Sequence, residues 1–159
     1  MVRIVTVSAA GIILVSASLL SAGQNAPPLP APKDKCPVCG MFVAKYPDWT
    51  AAVVLGDGSR LYFDGPKDLF VFLLNPGKYG RGGVRGETAA VFVRDYYSLA
   101  FIDGRRAFYV TGSDVRGPMG KELVPFARKA DADGFLKDHG GKQVLRFGDV
   151  TPARLKQLE

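Results

Sequence analysis

The sequence has few of the residues from which structural zinc sites and common catalytic sites are built. Its 159 residues include two cysteines and one histidine, His139. Structural zinc takes four ligands, usually cysteine and histidine, so this set leaves the zinc tetrahedron incomplete. Because Gly140 and Gly141 follow His139, its position is typical of a helix end. The sequence also shows no Ser-His-Asp set and no catalytic carboxylate pair, so we do not expect an enzyme.

Long runs of charge are also absent. The formal net charge is +6, but no basic run is longer than Arg105-Arg106. Nucleic-acid-binding proteins usually show a basic patch or stripe, so the sequence predicts no nucleic-acid partner. A net positive charge favours encounter with an acidic protein partner instead.

The first segment is almost free of charge. Arg3 is the only charged residue before Lys33, and residues 4–20 are apolar or small. This pattern predicts a signal peptide over residues 1–23 and a periplasmic protein. An uncleaved N-terminal anchor is the alternative, since the segment is only just long enough to cross a bilayer. Gly23 stands where a lipoprotein has its lipidated cysteine, so the sequence does not predict a lipoprotein. The proline-rich residues 24–35 are expected to form a tether.

Both cysteines lie in one short motif, Cys36-Pro37-Val38-Cys39-Gly40-Met41. A disulfide between them would close a very short loop and add little stability, which favours a chemical role for the pair. Thiolate and thioether groups are soft ligands and suit Cu(I). Cys39 and Met41 are two residues apart, which places both side chains on one side of an extended segment. Met119 lies between Gly-Pro and Gly in a predicted loop, and we expect it to supply a third sulfur.

Two other functions remain open for the same motif. A thiol–disulfide oxidoreductase would use Cys36 and Cys39, whose spacing is that of thioredoxin-like proteins. That chemistry favours a first cysteine at a helix N-terminus, whereas here a proline-rich segment precedes the motif. The other alternative is a heavy-metal scavenger that delivers its metal to no client.

The pattern of strand and helix signals predicts an α+β fold. Strands at 49–55 and 60–63 flank an Asp57-Gly58 turn, and a helix over 66–74 is capped by Asp64. A second hairpin, 97–102 with 106–110, is predicted around Asp103-Gly104, followed by a strand at 122–126 and a helix at 131–139. We therefore expect two repeated ββα-type units, 36–76 and 89–147, packed together within a domain of residues 36–159.

Several separated motifs, spread over residues 33–150, resemble the NosL family of nitrous oxide reductase accessory proteins. The resemblance implies an exported Cu(I)-binding metallochaperone that supplies copper to the reductase or to its maturation machinery. It implies Cys39, Met41 and Met119 as copper ligands, with Cys36 as a further candidate. Members of the family are commonly lipoproteins, and in this respect the sequence departs from them. The matching residues are Cys36 to Phe42, Tyr46-Pro47-Asp48-Trp49, Phe108-Tyr109-Val110, Gly112-Ser113-Asp114, Gly117-Pro118-Met119-Gly120, Phe135 and His139-Gly140-Gly141.

Overall fold

The computed structural model describes residues 26–79 and 87–159, and the predicted signal peptide lies outside them. Helices and sheets are both present, so the predicted α+β class is confirmed. The strands are β1 (Ala51–Leu55), β2 (Arg60–Phe63), β3 (Thr88–Arg94), β4 (Phe101–Asp103), β5 (Phe108–Thr111), β6 (Arg116–Gly117), β7 (Gly120–Lys121), β8 (Val124–Phe126) and β9 (Gln143–Arg146). The α-helices are α1 (Pro66–Leu74), α2 (Pro76–Tyr79), α3 (Lys129–Asp138) and α4 (Pro152–Lys156).

The first sheet is antiparallel, with strand order β2-β1-β3-β4. β1 and β2 form the hairpin that the sequence predicts, with Ala51 opposite Phe63. Gly58 in its turn has a φ of 82°, a backbone conformation that favours glycine. α1 follows directly over the predicted residues, and its side chains Leu69 and Phe70 are buried. The sheet and helix together form one wall of the core.

The second predicted hairpin, 97–102 with 106–110, is wrong. β4 pairs with β3 of the first sheet, whereas β5 is the central strand of a second sheet with the order β8-β5-β9. A two-residue hairpin turn needs glycine at positive φ, as at Gly58, but Gly104 does not adopt it. An added Cβ on Gly104 would come within 2.8 Å of the Val91 side chain. Gly104 is therefore a packed corner between the two sheets.

Two strands followed by a helix occur at 51–74, and β5, β8 and α3 come in the same order within 108–138, with the short β6–β7 hairpin between β5 and β8. In each case the first strand lies inside its sheet, the second strand pairs with it, and the helix follows the second strand. These ranges differ from the predicted halves 36–76 and 89–147, because β3 and β4 complete the first sheet. The segments 57–65 and 103–112, which look alike in sequence, consequently do not occupy equivalent places in the two sheets.

Met119 lies in a short hairpin rather than in an irregular loop. β6 and β7 place Arg116 opposite Lys121 and Gly117 opposite Gly120, which leaves Pro118 and Met119 as the turn. The Met119 side chain is 46% exposed. The hairpin therefore presents the methionine at its tip instead of burying it in the core.

Buried side chains from both sheets meet around Tyr109. Its ring packs edge-on against Phe70 of α1 at 5.1 Å between centroids, and its hydroxyl donates to the Gly104 carbonyl oxygen at 2.6 Å. Cys36 belongs to the same buried cluster. Part of the predicted tether also contacts this body, since the Tyr62 hydroxyl donates to the Pro28 carbonyl oxygen. The first cysteine of the Cys36–Met41 motif is thus a core residue.

Candidate metal centre

The segment that carries both cysteines is a closed loop. Lys35 and Phe42 form an antiparallel bridge at its base. Within the loop, the Cys36 N–H donates to the Met41 carbonyl oxygen and the Gly40 N–H donates to the Cys36 carbonyl oxygen, both at 2.9 Å. Gly40 has a φ of 80°, which a residue with a Cβ rarely adopts. These bonds hold the loop in a shape that turns both thiols toward one place.

Two carboxylates face these thiols. Asp64 follows β2, and Asp68 lies in the first turn of α1. The Cys36 thiol donates to Asp68 Oδ2 and the Cys39 thiol to Asp64 Oδ1, each at 3.3 Å. One ligand atom from each of the four residues lies within 4.8 Å of the others. The cysteine pair of the sequence is therefore part of a four-residue cluster, which we call the Cys2Asp2 cluster.

Asp64 and Asp68 are candidates that sequence reasoning missed. The sequence predicts Asp64 as the N-cap of α1. In the structure the N-cap residue is Gly65, so no N-cap side chain bonds to the helix. The Asp64 side chain contacts Cys39 instead. The signal that could have identified the pair is the i, i+4 spacing of two acids where a strand meets a helix. Both acids are buried there, which is unusual for aspartate.

The Cys2Asp2 cluster is well shielded from water. Cys36 is 2%, Asp64 1% and Asp68 6% exposed, and Cys39 is half-buried. Among the described residues neither carboxylate forms a salt bridge, and Asp64 Oδ2 has no hydrogen-bond partner. Buried charge without a partner is costly, and a bound cation would supply the partner. Two sulfurs and two carboxylate oxygens at these distances therefore fit a metal ion.

The environment keeps both cysteines protonated. Burial raises the pKa of Cys36 far above its usual range, and the charge of Asp68 adds to this. Burial also raises the pKa of Cys39 to about 12, with Asp68 contributing. The pKa of Asp68 itself is raised, first by burial and then by the charge of Asp64. Since the thiolate is the ligand, metal binding must displace the proton of each cysteine that coordinates it.

The two candidate methionines are placed differently. Met41 is half-buried within the closed loop itself. Met119 is linked to α1 through its main chain. The Lys67 ammonium donates to the carbonyl oxygens of Met119 at 2.8 Å and Lys121 at 3.0 Å. Lys67 directly precedes Asp68, so the Met119 hairpin and the Cys2Asp2 cluster meet at the first turn of α1. The ligand roles of both methionines stay predictions.

Glu122 fastens the Met119 hairpin to α1. Its Oε1 accepts from the main-chain N–H groups of Lys67 at 2.5 Å and Leu123 at 2.9 Å. The side chain is 3% exposed and packs against two glycines. At Gly65 there is no room for a Cβ, and at Gly117 a Cβ would come within 3.0 Å of Glu122. Burial raises the pKa of Glu122 to about 8. Nothing in the sequence pattern singles out this acid.

His139 has other contacts. It is the residue that ends α3, as the sequence predicts. Its Nδ1 lies 3.0 Å from Asp114 Oδ1, and its ring stacks on Phe135 with 4.2 Å between centroids. These contacts account for the histidine without a metal ion.

Comparisons with known proteins agree with one another. The sequence model of the NosL family matches residues 29–155. The copper-binding lipoprotein NosL of Stutzerimonas stutzeri is 30% identical over an alignment of 132 positions, gaps included, which covers 78% of this chain and 65% of that protein. The protein of the same name from Achromobacter cycloclastes is 29% identical over an alignment of 162 positions, gaps included, which covers 91% of this chain and 78% of that protein.

A solved structure extends the likeness to the fold. The crystal structure of the copper chaperone NosL from Shewanella denitrificans superposes with a TM-score of 0.64 at 31% sequence identity. The match covers 80% of this chain and 99% of that one. By contrast, the chain spans 65% of the length of the Stutzerimonas relative.

Proposed function

The chain belongs to the NosL family, and from this premise we propose that it binds Cu(I) and passes copper to a receiving protein. The proposed recipient is nitrous oxide reductase or its maturation machinery. The observation that carries the proposal is the buried Cys36–Cys39 pair, held with two carboxylates within 4.8 Å. The names of the relatives support copper as the metal. In this role the protein is a metallochaperone and not an enzyme.

The sulfur ligands support the Cu(I) oxidation state. Thiolate and thioether groups favour Cu(I), whereas carboxylates favour harder ions. Cys36 and Cys39 can supply two thiolates from one loop, and Met41 lies in the same loop. Asp64 and Asp68 would then add negative charge close to the bound cation. Copper is the cargo of this site, and the closed loop supplies the fixed part of it.

Zinc is a stronger competitor than the sequence suggests. The sequence offers zinc too few cysteine and histidine ligands, but the Cys2Asp2 cluster holds four groups that zinc accepts. We expect the double variant Asp64→Asn, Asp68→Asn to lose Zn(II) affinity on the order of a hundredfold and Cu(I) affinity less than about tenfold. Anaerobic titrations against a Cu(I) chelator and a Zn(II) chelator measure both.

The exposed Asp138→Asn serves as the matched control for the loss of an acid, and it should leave both affinities unchanged. Equal losses of both metals in the double variant would mean that the carboxylates coordinate copper too. Wild-type protein that binds zinc tightly and copper weakly would overturn the proposed function itself.

Met119→Leu tests whether the hairpin methionine contributes its sulfur. The substitution keeps an apolar side chain of similar volume, and the site is 46% exposed, so the fold should tolerate it. We expect Cu(I) affinity to fall about tenfold, with no change in the rate of thiol alkylation. Met41→Leu should behave in the same way.

Leu99→Ala, which changes another exposed apolar residue, is the control for the methionine variants. An affinity equal to that of the wild type would remove the substituted methionine from the site. Copper would then be held by the cysteines with another group.

The thiol environment opposes the oxidoreductase alternative. Redox-active cysteines have lowered pKa values, whereas here burial raises the pKa of Cys39 to about 12. Rapid reduction of insulin by the wild-type protein would nevertheless establish that activity. A metal scavenger without a client would use the same cluster as a metallochaperone. The test that separates these two functions is whether the copper-loaded protein transfers its metal to apo nitrous oxide reductase.

The proposed location is the periplasm. The predicted signal peptide over residues 1–23 would direct export, and residues 24–35 would link it to the domain. No helix within the described residues is both long enough and apolar enough to cross a membrane. Attachment to the membrane, in this proposal, depends on whether the N-terminal segment is retained.

We propose that the domain consists of two ββα-type units. The cysteine loop precedes the first strand–strand–helix segment, and the Met119 hairpin lies between β5 and β8 of the second. Lys67 and Glu122 connect the two at the start of α1. Copper would therefore be held where the units meet.

A further inference from the structure

A basic cavity lies beside the Met119 hairpin. Its volume is about 610 Å³, within the range of about 300–1,000 Å³ typical of ligand pockets. Four basic side chains line it, and no acidic side chain of the described residues does. The four are Arg116, Lys121, Lys142 and Arg154. None of the lining residues belongs to the Cys2Asp2 cluster.

The positive charge of this cavity has no side-chain carboxylate partner within the described residues. Within the described residues none of the four basic groups forms a salt bridge. Arg154 donates to the Gln143 side-chain oxygen, and Lys121 donates to a main-chain oxygen of Glu159 at 3.3 Å. Like charges around a concave surface focus a positive potential, which attracts anions.

Two further contacts shape the cavity for a ligand. Ser113 lines it, and its Oγ is buried without a hydrogen-bond partner. The aliphatic part of Lys142 packs on Gly112, where an added Cβ would come within 2.6 Å of Lys142 Cγ. Gly112 also has a φ of 79°. The floor of the cavity therefore needs glycine, and the Ser113 hydroxyl in its wall lacks a hydrogen-bond partner within the described residues.

We propose that this cavity binds a small multivalent oxyanion of the phosphate class. Arginine and lysine form charge-assisted hydrogen bonds to phosphate oxygens, and arginine can do so with two parallel bonds. Ser113 Oγ is buried in the cavity wall, and a rotation of its side chain would let the hydroxyl donate to the same anion. The site is separate from the proposed copper function and does not require it. It does share the hairpin, since Arg116 and Lys121 face each other below Met119.

The test is a titration of the full chain with pyrophosphate at constant ionic strength, followed by amide chemical shifts. Saturable shifts are expected at Ser113, Arg116, Lys142 and Arg154. The double variant Lys142→Gln, Arg154→Gln should weaken binding at least about tenfold. Ser113→Ala, which leaves the net charge unchanged, should weaken it about threefold or more. Lys137→Gln, an exposed lysine outside the cavity, should leave binding unchanged.

Three results would overturn the proposal. One is no saturable binding up to about 10 mM pyrophosphate, which corresponds to an affinity too weak for a specific site. Another is an equal loss in Lys137→Gln and in the double variant, which would indicate general attraction to a basic surface. The third is unchanged binding by Ser113→Ala, since this neutral donor distinguishes a built site from charge alone. Circular dichroism verifies that each variant is folded.

Discussion

Cys39→Ser is expected to lower the affinity for Cu(I) by at least about a hundredfold. Substitution of residues that merely support metal ligands already costs about 10- to 100-fold, and here a thiolate would be replaced by a poorly coordinating hydroxyl. Cys39 is half-buried, so serine can occupy its place without a large change in packing. Anaerobic competition with a Cu(I) chelator measures the loss.

Cys36→Ser tests the second cysteine. Its Sγ lies in the same cluster as that of Cys39, so we expect a loss of similar size. Because Cys36 is 2% exposed, the unfolding of this variant should be measured as well. Ala44→Ser, in the same segment, is the control for a new hydroxyl. If both cysteine variants bound copper like the wild type, the metal would lie elsewhere and the proposed site would be wrong.

The wild-type protein is expected to lose stability as the pH rises from about 4.5 to about 8, because of Glu122. Its folded pKa is about 8, against an ordinary value of 4.5, so the folded state keeps a proton that the unfolded state releases. The contribution is therefore complete below pH 4.5 and is lost as the pH rises through 8. At about 1.4 kcal/mol per unit of pKa, the loss is on the order of 5 kcal/mol.

Glu122→Gln should remove most of this pH dependence. Glutamine stays neutral and keeps an oxygen that can accept from the Lys67 and Leu123 N–H groups. At pH 8 the variant should thus be more stable than the wild type. Urea unfolding of both proteins across this pH range, under reducing conditions, gives the comparison. Asp68 also has a raised pKa but is present in both proteins. Parallel pH profiles would show that Glu122 is charged in the folded state.

The first hairpin and α1 could be predicted because their signals are local. Asp57-Gly58 sets the turn, Pro66 favours the first turn of the helix, and Asn75-Pro76 marks its end. The prediction of a second hairpin was wrong because Asp103-Gly104 carries the same local signal as Asp57-Gly58. What separates the two glycines is the contact of Gly104 with Val91, and such packing cannot be read from a dipeptide.

In the candidate site, too, the residues that are close in sequence could be predicted and the distant ones could not. Cys36, Cys39 and Met41 are neighbours in sequence, and their chemistry alone indicated a soft metal. The carboxylates that complete the Cys2Asp2 cluster lie 25 and 32 positions from their cysteine partners. In sequence they look like ordinary acids near a helix start, where negative charge is common. Only the fold shows that they are buried.

If copper binds at the proposed site, the unequal burial of the two cysteines would give metal exchange an order. Cys36 is 2% exposed and is out of reach of another protein, whereas Cys39 is half-buried at the edge of the cluster. A thiolate or thioether of a receiving protein would therefore displace Cys39 first and Cys36 last. Spontaneous release would be slow, because the inner ligand stays attached until a replacement is bound. The same fold would then retain its metal in dilute solution and release it quickly on contact with the recipient.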